Sequence, residues 1–304
     1  MSGEIVLTQK AGLAVTKRTL RNLIVLLVLV LVVAGLNALQ RTRRAEALAQ
    51  ELAQPDQYQA YKAMKRLAAL GPGAMGRVAP LLKSEDAHVR ARAAAVIAET
   101  ATGRYDGSLE ALLEDPDPTV RLAAVGALGA VGDQVAEAKL LAMARDEEQP
   151  MEVRIAATRS LARLASPRAA TVLAGLLELP DEEDNTQLRQ SAAVALSGIL
   201  VEEAITELAK RLDPDTEPNA QVRALAAEGL RPAAQVGPEA VQQAGEALIT
   251  ALEDEASEVR LAAAYSLSQM RFSGPLNERV SEALKEARND PHYWVRQAVA
   301  ETAG

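Results

Sequence analysis

The sequence predicts an all-α fold: an α-solenoid of stacked helix pairs preceded by one N-terminal transmembrane helix. Three observations carry this. An arginine within a fixed apolar pattern recurs at near-constant spacing from residue 90 onward. The chain is 49% hydrophobic yet holds only one Trp, one Phe and five Tyr in 304 residues, so its core must be filled by Ala, Leu, Val and Ile. Such side chains favour closely packed helices. Finally, Leu23 to Leu36 is an unbroken apolar run of 14 residues.

The apolar run comes first in the chain. Tolerating Asn37 extends it to Leu39, and Arg21 and Arg41 bracket it 20 residues apart. That separation is about 30 Å along a helix, the thickness of a bilayer's hydrocarbon layer, so the two arginines can snorkel to opposite interfaces. The expected organisation is a short basic tail at 1–19, a transmembrane anchor at 20–39, a juxtamembrane helical linker at 40–54 and a solenoid over 55–304. A cleaved signal peptide is the competing reading, because Lys10, Lys17, Arg18 and Arg21 form a positive n-region. Its cleavage site is poor, since Leu36 is too large for the −3 position before Ala38, and the alternative at Val33-Ala34-Gly35 would cut inside the apolar run. The four basic residues before the span stand against Arg41, Arg43 and Arg44 after it. A short basic tail is costly to translocate, which favours a cytoplasmic N-terminus and an extracytoplasmic solenoid.

Beyond the span, a Val-Arg or Leu-Arg pair is followed by small residues and then Leu or Ile. The arginines are Arg90, Arg121, Arg154, Arg189, Arg223, Arg260 and Arg296, with spacings of 31, 33, 35, 34, 37 and 36. The residue before each Arg, the third after it and the seventh after it share one helical face and are expected to be buried. A degenerate earlier copy lies around Gln59, Ala60, Ala63 and Leu67. Between copies runs a second apolar-periodic segment, such as Leu109, Leu112 and Leu113, or Val241, Ala244, Leu248 and Leu252. Each copy is therefore a helix pair, about eight in all, and a pair of this period buries its faces only by stacking on its neighbours.

The stretch from Asp117 to Gly129, with its Asp, Val-Arg, paired Ala and Leu-Gly, resembles the HEAT repeat family, specifically the short bacterial variety named after phycobilisome lyases. The resemblance covers residues 55 to 304, and the first and last copies are degenerate. It implies a solenoid whose Val-Arg helices line the concave side. It does not carry lyase activity, because those lyases are soluble whereas an anchor is expected here, and repeats of this variety occur widely outside them.

Repeated arginines admit a functional reading, a cationic stripe for nucleic acid or phosphate, and a structural one, an internal ladder bonded to acids of the same or the next turn. Residues 1 to 66 carry ten basic and four acidic side chains, whereas residues 67 to 304 carry 23 and 37. A body so acidic argues against nucleic acid, whose binding rests on phosphate neutralisation. The ladder reading is preferred, with Asp86 and Asp117, four residues before their Arg, serving as caps or charge partners.

The absence of Cys excludes disulfides, zinc ribbons, iron–sulfur clusters and thiol nucleophiles. Only His88 and His292 are available, some 200 residues apart, and no phosphate-binding Gly loop or nucleophile motif occurs. No catalytic, metal-binding or cofactor site is expected, and no small-molecule substrate.

Surface features remain. The loops before the Val-Arg helices are acidic nearly throughout, most of all at Asp181, Glu182, Glu183 and Asp184, beyond what capping requires. Stacking should align them into an acidic rim suited to a basic partner. The fifth residue after each Arg (Ala95, Gly126, Arg159, Val194, Glu228, Tyr265, Glu301) varies and faces away from the buried set. Leu122, Ile155 and Leu261, one residue after their Arg, offer an apolar groove beside that stripe. Tyr293 and Trp294 are expected to be packed by the terminal cap; left exposed, they would be docking anchors. The candidate partner-binding set is thus Leu122, Ile155, Arg159, Glu228, Leu261, Tyr265 and the acidic quartet. The functional expectation is a membrane-anchored, non-catalytic scaffold or accessory subunit holding a protein partner, such as part of a membrane complex. The competing classes are a lyase or chaperone-like factor acting on a pigment protein, and a secreted binding solenoid released by signal-peptide cleavage.

Overall fold

The computed structural model describes residues 17–54, 56–100, 107 and 109–300, so most of the expected basic tail at 1–19, and Glu301, lie outside the described residues. Helices joined by short loops make up most of these residues, in the order α1 (Lys17–Leu52), α2 (Gln57–Ala69), α3 (Met75–Val78), α4 (Ala87–Thr100), α5 (Glu110–Leu113), α6 (Pro118–Val131), α7 (Gln134–Arg145) and α8 (Met151–Leu164). There follow α9 (Pro167–Leu177), α10 (Glu183–Ser197), α11 (Glu202–Lys210), α12 (Ala220–Gly229), α13 (Pro238–Ala251), α14 (Ser257–Gln269), α15 (Gly274–Glu286) and α16 (Tyr293–Ala300). Short 3-10 turns flank α3 at Gly71–Ala74 and Ala79–Lys83.

Local chemistry sets the boundaries. Asp56, Asp117, Asp133, Ser166 and Asn219 each sit at an N-cap, with the side chain accepting from one or two N–H groups of the first turn. These bonds satisfy donors that a helix start leaves free. Pro118, Pro167 and Pro238 open their helices, where a missing N–H costs nothing. Gly132 ends α6 in the left-handed region at φ 69°, a conformation that suits glycine.

The even-numbered helices α2 to α16 form one layer, each packed on the next, and the remaining helices form a second layer behind them. The predicted stripe fills the space between. Val120, Ala124 and Leu128 are all fully buried, as are Leu188, Ala192 and Leu196 in α10, and Val259, Ala263 and Leu267 in α14. One contiguous core runs from Ala45 to Val280, and a small cluster of Ala264, Val295, Ala298 and Val299 closes the end. Small residues set the helix spacing. A Cβ on Gly129 would fall 2.5 Å from the Cβ of Ser160 on the neighbouring α8, so only glycine fits there.

Helix α1 has two environments along one unbroken rod. From Leu23 to Leu39 its large apolar side chains are exposed, with Leu31 at 62%. Ala45, Leu48, Ala49 and Leu52, spaced three, one and three apart along one helical face, are buried in the first helix pair. The segment expected as a linker at 40–54 therefore supplies, through these residues, part of the core.

Candidate protein-binding face and arginine ladder

Each Val-Arg helix starts beside the loop that precedes it and the loop of the next repeat. Arg223 donates from Nε and one Nη to Asp254, 31 residues ahead, at 2.7 and 2.8 Å, and from its other Nη to the carbonyls of Glu217 and Pro218, both at 2.9 Å. Arg90 repeats this with Asp115 and the carbonyls of Ser84 and Glu85, and Arg260 with Asp290 and the carbonyls of Asp254 and Glu255. Arg189 bonds Glu217 ahead of it and Asp181 in its own loop. Arg121, Arg154 and Arg296 are held by carbonyls: Asp115 and Pro116, Ala144, and Asp290 and Pro291 respectively. At Arg90, Arg189, Arg223 and Arg260 the planar guanidinium thus ties two loops together, and at Arg90, Arg223 and Arg260 a bidentate bond crosses to the following repeat.

The acceptor carboxylates have a second task. Asp115, Glu217, Asp254 and Asp290 each accept the backbone N–H two residues on, at 2.7 to 3.0 Å. Asp86 and Asp117 instead accept first-turn N–H groups of α4 and α6. Hydrogen bonding to Arg90, against the cost of desolvation, holds the Asp115 carboxyl below the usual carboxylate range. Burial would raise Asp254 and Asp290, but Arg223 and Arg260, with the N–H groups of Ala256 and His292, outweigh it and lower both.

On the outer face of the Val-Arg layer, Arg159, Val194, Glu228 and Tyr265 are exposed as their spacing predicts, while Ala95 and Gly126 are half-buried. A cleft of about 540 Å³ crosses α8, α10 and α12, lined by Arg159, Gln187, Gln190, Ser191, Val194 and Leu225. Beside it the Arg231 guanidinium lies 5.5 Å from the Tyr265 ring and 3.9 Å from the Glu228 carboxylate. Sequence reasoning missed Gln187, Gln190 and Arg231. The two glutamines fall on the Val194 stripe at steps of three and four, but their type gives no signal.

The apolar trio behaves differently. Ile155 is buried and belongs to the core, and Leu122 and Leu261 are half-buried against their neighbours, so none of the three presents an open surface. One step past Arg turns a side chain toward the next helix. Tyr293 and Trp294, expected to be packed, are instead 53% and 60% exposed, at the start of the helix whose Val295, Ala298 and Val299 are buried. Asp181, Glu182, Glu183 and Asp184 are all exposed, and Asp181 alone of the four is engaged by an arginine. Arg21 and Arg41 are exposed at the two ends of the apolar stretch of α1. Among the described residues no group of three or more His, Asp or Glu is placed to hold a metal ion.

A protein of Pseudanabaena tenuis described as an uncharacterized phycocyanin operon protein Z is 29% identical over 144 residues, which cover 44% of this chain and 69% of that protein. Among solved structures, an engineered protein is 23% identical with a TM-score of 0.47, covering 85% of this chain and 77% of its own. Human deoxyhypusine hydroxylase in complex with glycerol is 24% identical with a TM-score of 0.38, covering 88% and 97%. The model of HEAT repeats matches residues 105–197 and 205–304, more than half of the sequence, and this chain of stacked helix pairs belongs to the HEAT repeat family.

Proposed function

We propose that the protein is a membrane-anchored, non-catalytic scaffold or accessory subunit that holds a protein partner on its solenoid. The carrying observation is the double character of α1, whose apolar side chains are bare from Leu23 to Leu39 and whose last turns are locked into the first helix pair. Seventeen residues of unpartnered apolar helix between Arg21 and Arg41 suit a bilayer, and fixing the solenoid at its surface suits a scaffold. In this reading the anchor is 20–39, the N-terminus is cytoplasmic and the solenoid extracytoplasmic. The partner-facing surface is the exposed stripe of Arg159, Val194, Glu228 and Tyr265 with the cleft beside it. The acidic loops steer a basic surface toward it.

The test is extraction of membranes with alkaline carbonate, N-terminal sequencing of the retained protein, and pull-down with the detergent-solubilised full chain. Retention with an intact N-terminus, and a partner lost on Tyr265→Ala and Arg159→Glu but kept on Glu85→Gln, is the expected result. Release into the carbonate supernatant, or a first residue near 36 or 39, would leave the secreted solenoid as the correct reading.

The relative named for a phycocyanin operon favours one second reading, a factor that assists a pigment protein. Incubating the solubilised chain with apo-phycocyanin and free bilin separates the two. Covalent pigment attachment above background would establish it; unchanged absorbance would discard the lyase.

A further inference from the structure

The described helix α1 has no break between its exposed apolar stretch and its buried end, so no hinge separates the proposed span from the solenoid. The direction of the first helices is then fixed relative to the bilayer. Near the start of α4, Arg92 donates to the carbonyls of Leu52 and Gln54, at the far end of α1. At the other end of α4, Thr100 reaches the Met75 sulfur. Helix α2 runs the same way, and its C-terminal end meets α1 at a cleft of about 820 Å³ whose walls include Asn37, Arg41 and Thr42 on one side and Leu70, Pro72 and Gly73 on the other. The turn after α2 therefore lies level with residues 37 to 42, where the apolar stretch ends.

Charge divides between the two edges of the solenoid. Residues 69–77 carry one charge, Arg77. Among the described residues, the later turns on this edge, 132–134, 165–168, 198–201, 230–237 and 270–274, carry Arg168, Arg231 and Arg271 against one acid, Asp133, which is used as a cap. The opposite edge holds the acidic loops, from Glu85 and Asp86 through the quartet at 181–184 to Asp290. The 13 residues of α2 set the two edges about 20 Å apart, well beyond the screening length of about 8 Å in physiological salt.

We propose that the sparsely charged edge, beginning with the turn at 69–77 and Arg41, rests on anionic phospholipid headgroups, and that the acidic edge is thereby held facing away from the membrane. The inference rests on the anchor reading above. Apolar and glycine-rich backbone at the interface, polar Asn37 and Thr42 in the cleft and cations at Arg41 and Arg77 fit a headgroup layer, whereas the acidic edge would be repelled by it. The anchor alone does not require this. A helix followed by a flexible tether would leave either edge free to turn to the bilayer.

The chain has no cysteine, so single substitutions report one position each. Full-length protein carrying a fluorophore at Gly73→Cys, Gly76→Cys, Glu85→Cys, Glu114→Cys or Val28→Cys is reconstituted into vesicles of phosphatidylcholine and phosphatidylglycerol with a headgroup-attached quencher. A Cβ at Gly73 or Gly76 meets nothing within 4 Å, and Glu85 and Glu114 are exposed, so these labels are tolerated. The expected result is several-fold stronger quenching at Gly73 and Gly76 than at Glu85 and Glu114, reduced by the double change Arg41→Gln and Arg77→Gln. Equal or reversed quenching, with the Val28 label shielded in hydrocarbon, overturns the inference and leaves the anchor standing. A water-exposed Val28 label removes the anchor reading and this one with it. Quenching indifferent to the double change overturns the part assigned to anionic lipid.

Discussion

Arg223 and Asp254 join consecutive repeats by two parallel hydrogen bonds of 2.7 and 2.8 Å, with 7% and 1% of their side chains exposed. The same guanidinium also binds the carbonyls of Glu217 and Pro218. A buried pair of this kind adds little or no net stability over an apolar substitute of similar volume, because desolvating both charges offsets their attraction, yet removing one member strands the other.

Arg223→Ala should therefore destabilise the solenoid by about 3 to 5 kcal/mol, the range for an abandoned buried charge. Arg121, held by carbonyls of its own loop, should cost only about 1 to 2 kcal/mol as Arg121→Ala, which is the range for ordinary hydrogen bonds. Urea unfolding gives both values, and amide exchange should show the Arg223 defect centred on α12 and α14. A larger loss from Arg121→Ala would mean that the inter-repeat pairs are not what binds the repeats together.

The same pairs predict acid lability. The carboxyls of Asp115, Asp254 and Asp290 are depressed in the folded chain. A depressed carboxylate stabilises above its unfolded pKa, about 3.9, and that contribution is lost as pH falls through the lower folded value. Melting temperature should fall steeply below about pH 4, and Asp254→Asn should flatten that fall while lowering stability at neutral pH. An unchanged acid slope in Asp254→Asn would exclude this group as a source.

Gly129→Ala tests the close contact of α6 with α8, because the new methyl would meet the Cβ of Ser160 at 2.5 Å. Overpacking of this sort costs roughly 1 to 3 kcal/mol. Ser160→Gly in the same chain should recover part of the loss by removing the obstructing atom. Additive loss in the double variant would place the strain elsewhere.

The buried stripe was legible because an apolar residue before Arg and at the third and seventh positions after it can only be one helical face, and Val120, Ala124 and Leu128 lie where that requires. The acceptor of each Arg was not. Asp115, Asp254 and Asp290 stand six residues before the following Arg, in a loop that only stacking brings near, whereas Asp86 and Asp117 were the acids in view at four. Ala45, Leu48, Ala49 and Leu52 show a helical stripe in sequence too, but nothing local says that α2 to α4 cover it. The candidate face was only partly readable, since Arg159 and Tyr265 follow from spacing while Gln187 and Gln190 carry no chemical signature.

The acidic quartet separates structural from functional charge. Asp181 pairs with Arg189, which is almost wholly buried, and also accepts from Asn219 at 3.5 Å, while Glu182, Glu183 and Asp184 are exposed. Changing those three to Gln, Gln and Asn should leave stability within about 0.5 kcal/mol, the usual span for surface sites, whereas adding Asp181→Asn should bring a measurable loss by weakening the hold on Arg189. For a basic partner the triple change should slow association more than it speeds dissociation, because exposed charges act mainly through steering. The effect should fade as salt rises and the screening length shortens below about 8 Å. Stopped-flow association across a salt series, read beside urea unfolding of the same variants, gives both quantities. A partner whose association rate ignores both the triple change and salt would reduce the rim to a solubilising edge and leave Arg159, Glu228 and Tyr265, on the exposed stripe of the Val-Arg helices, as the binding surface.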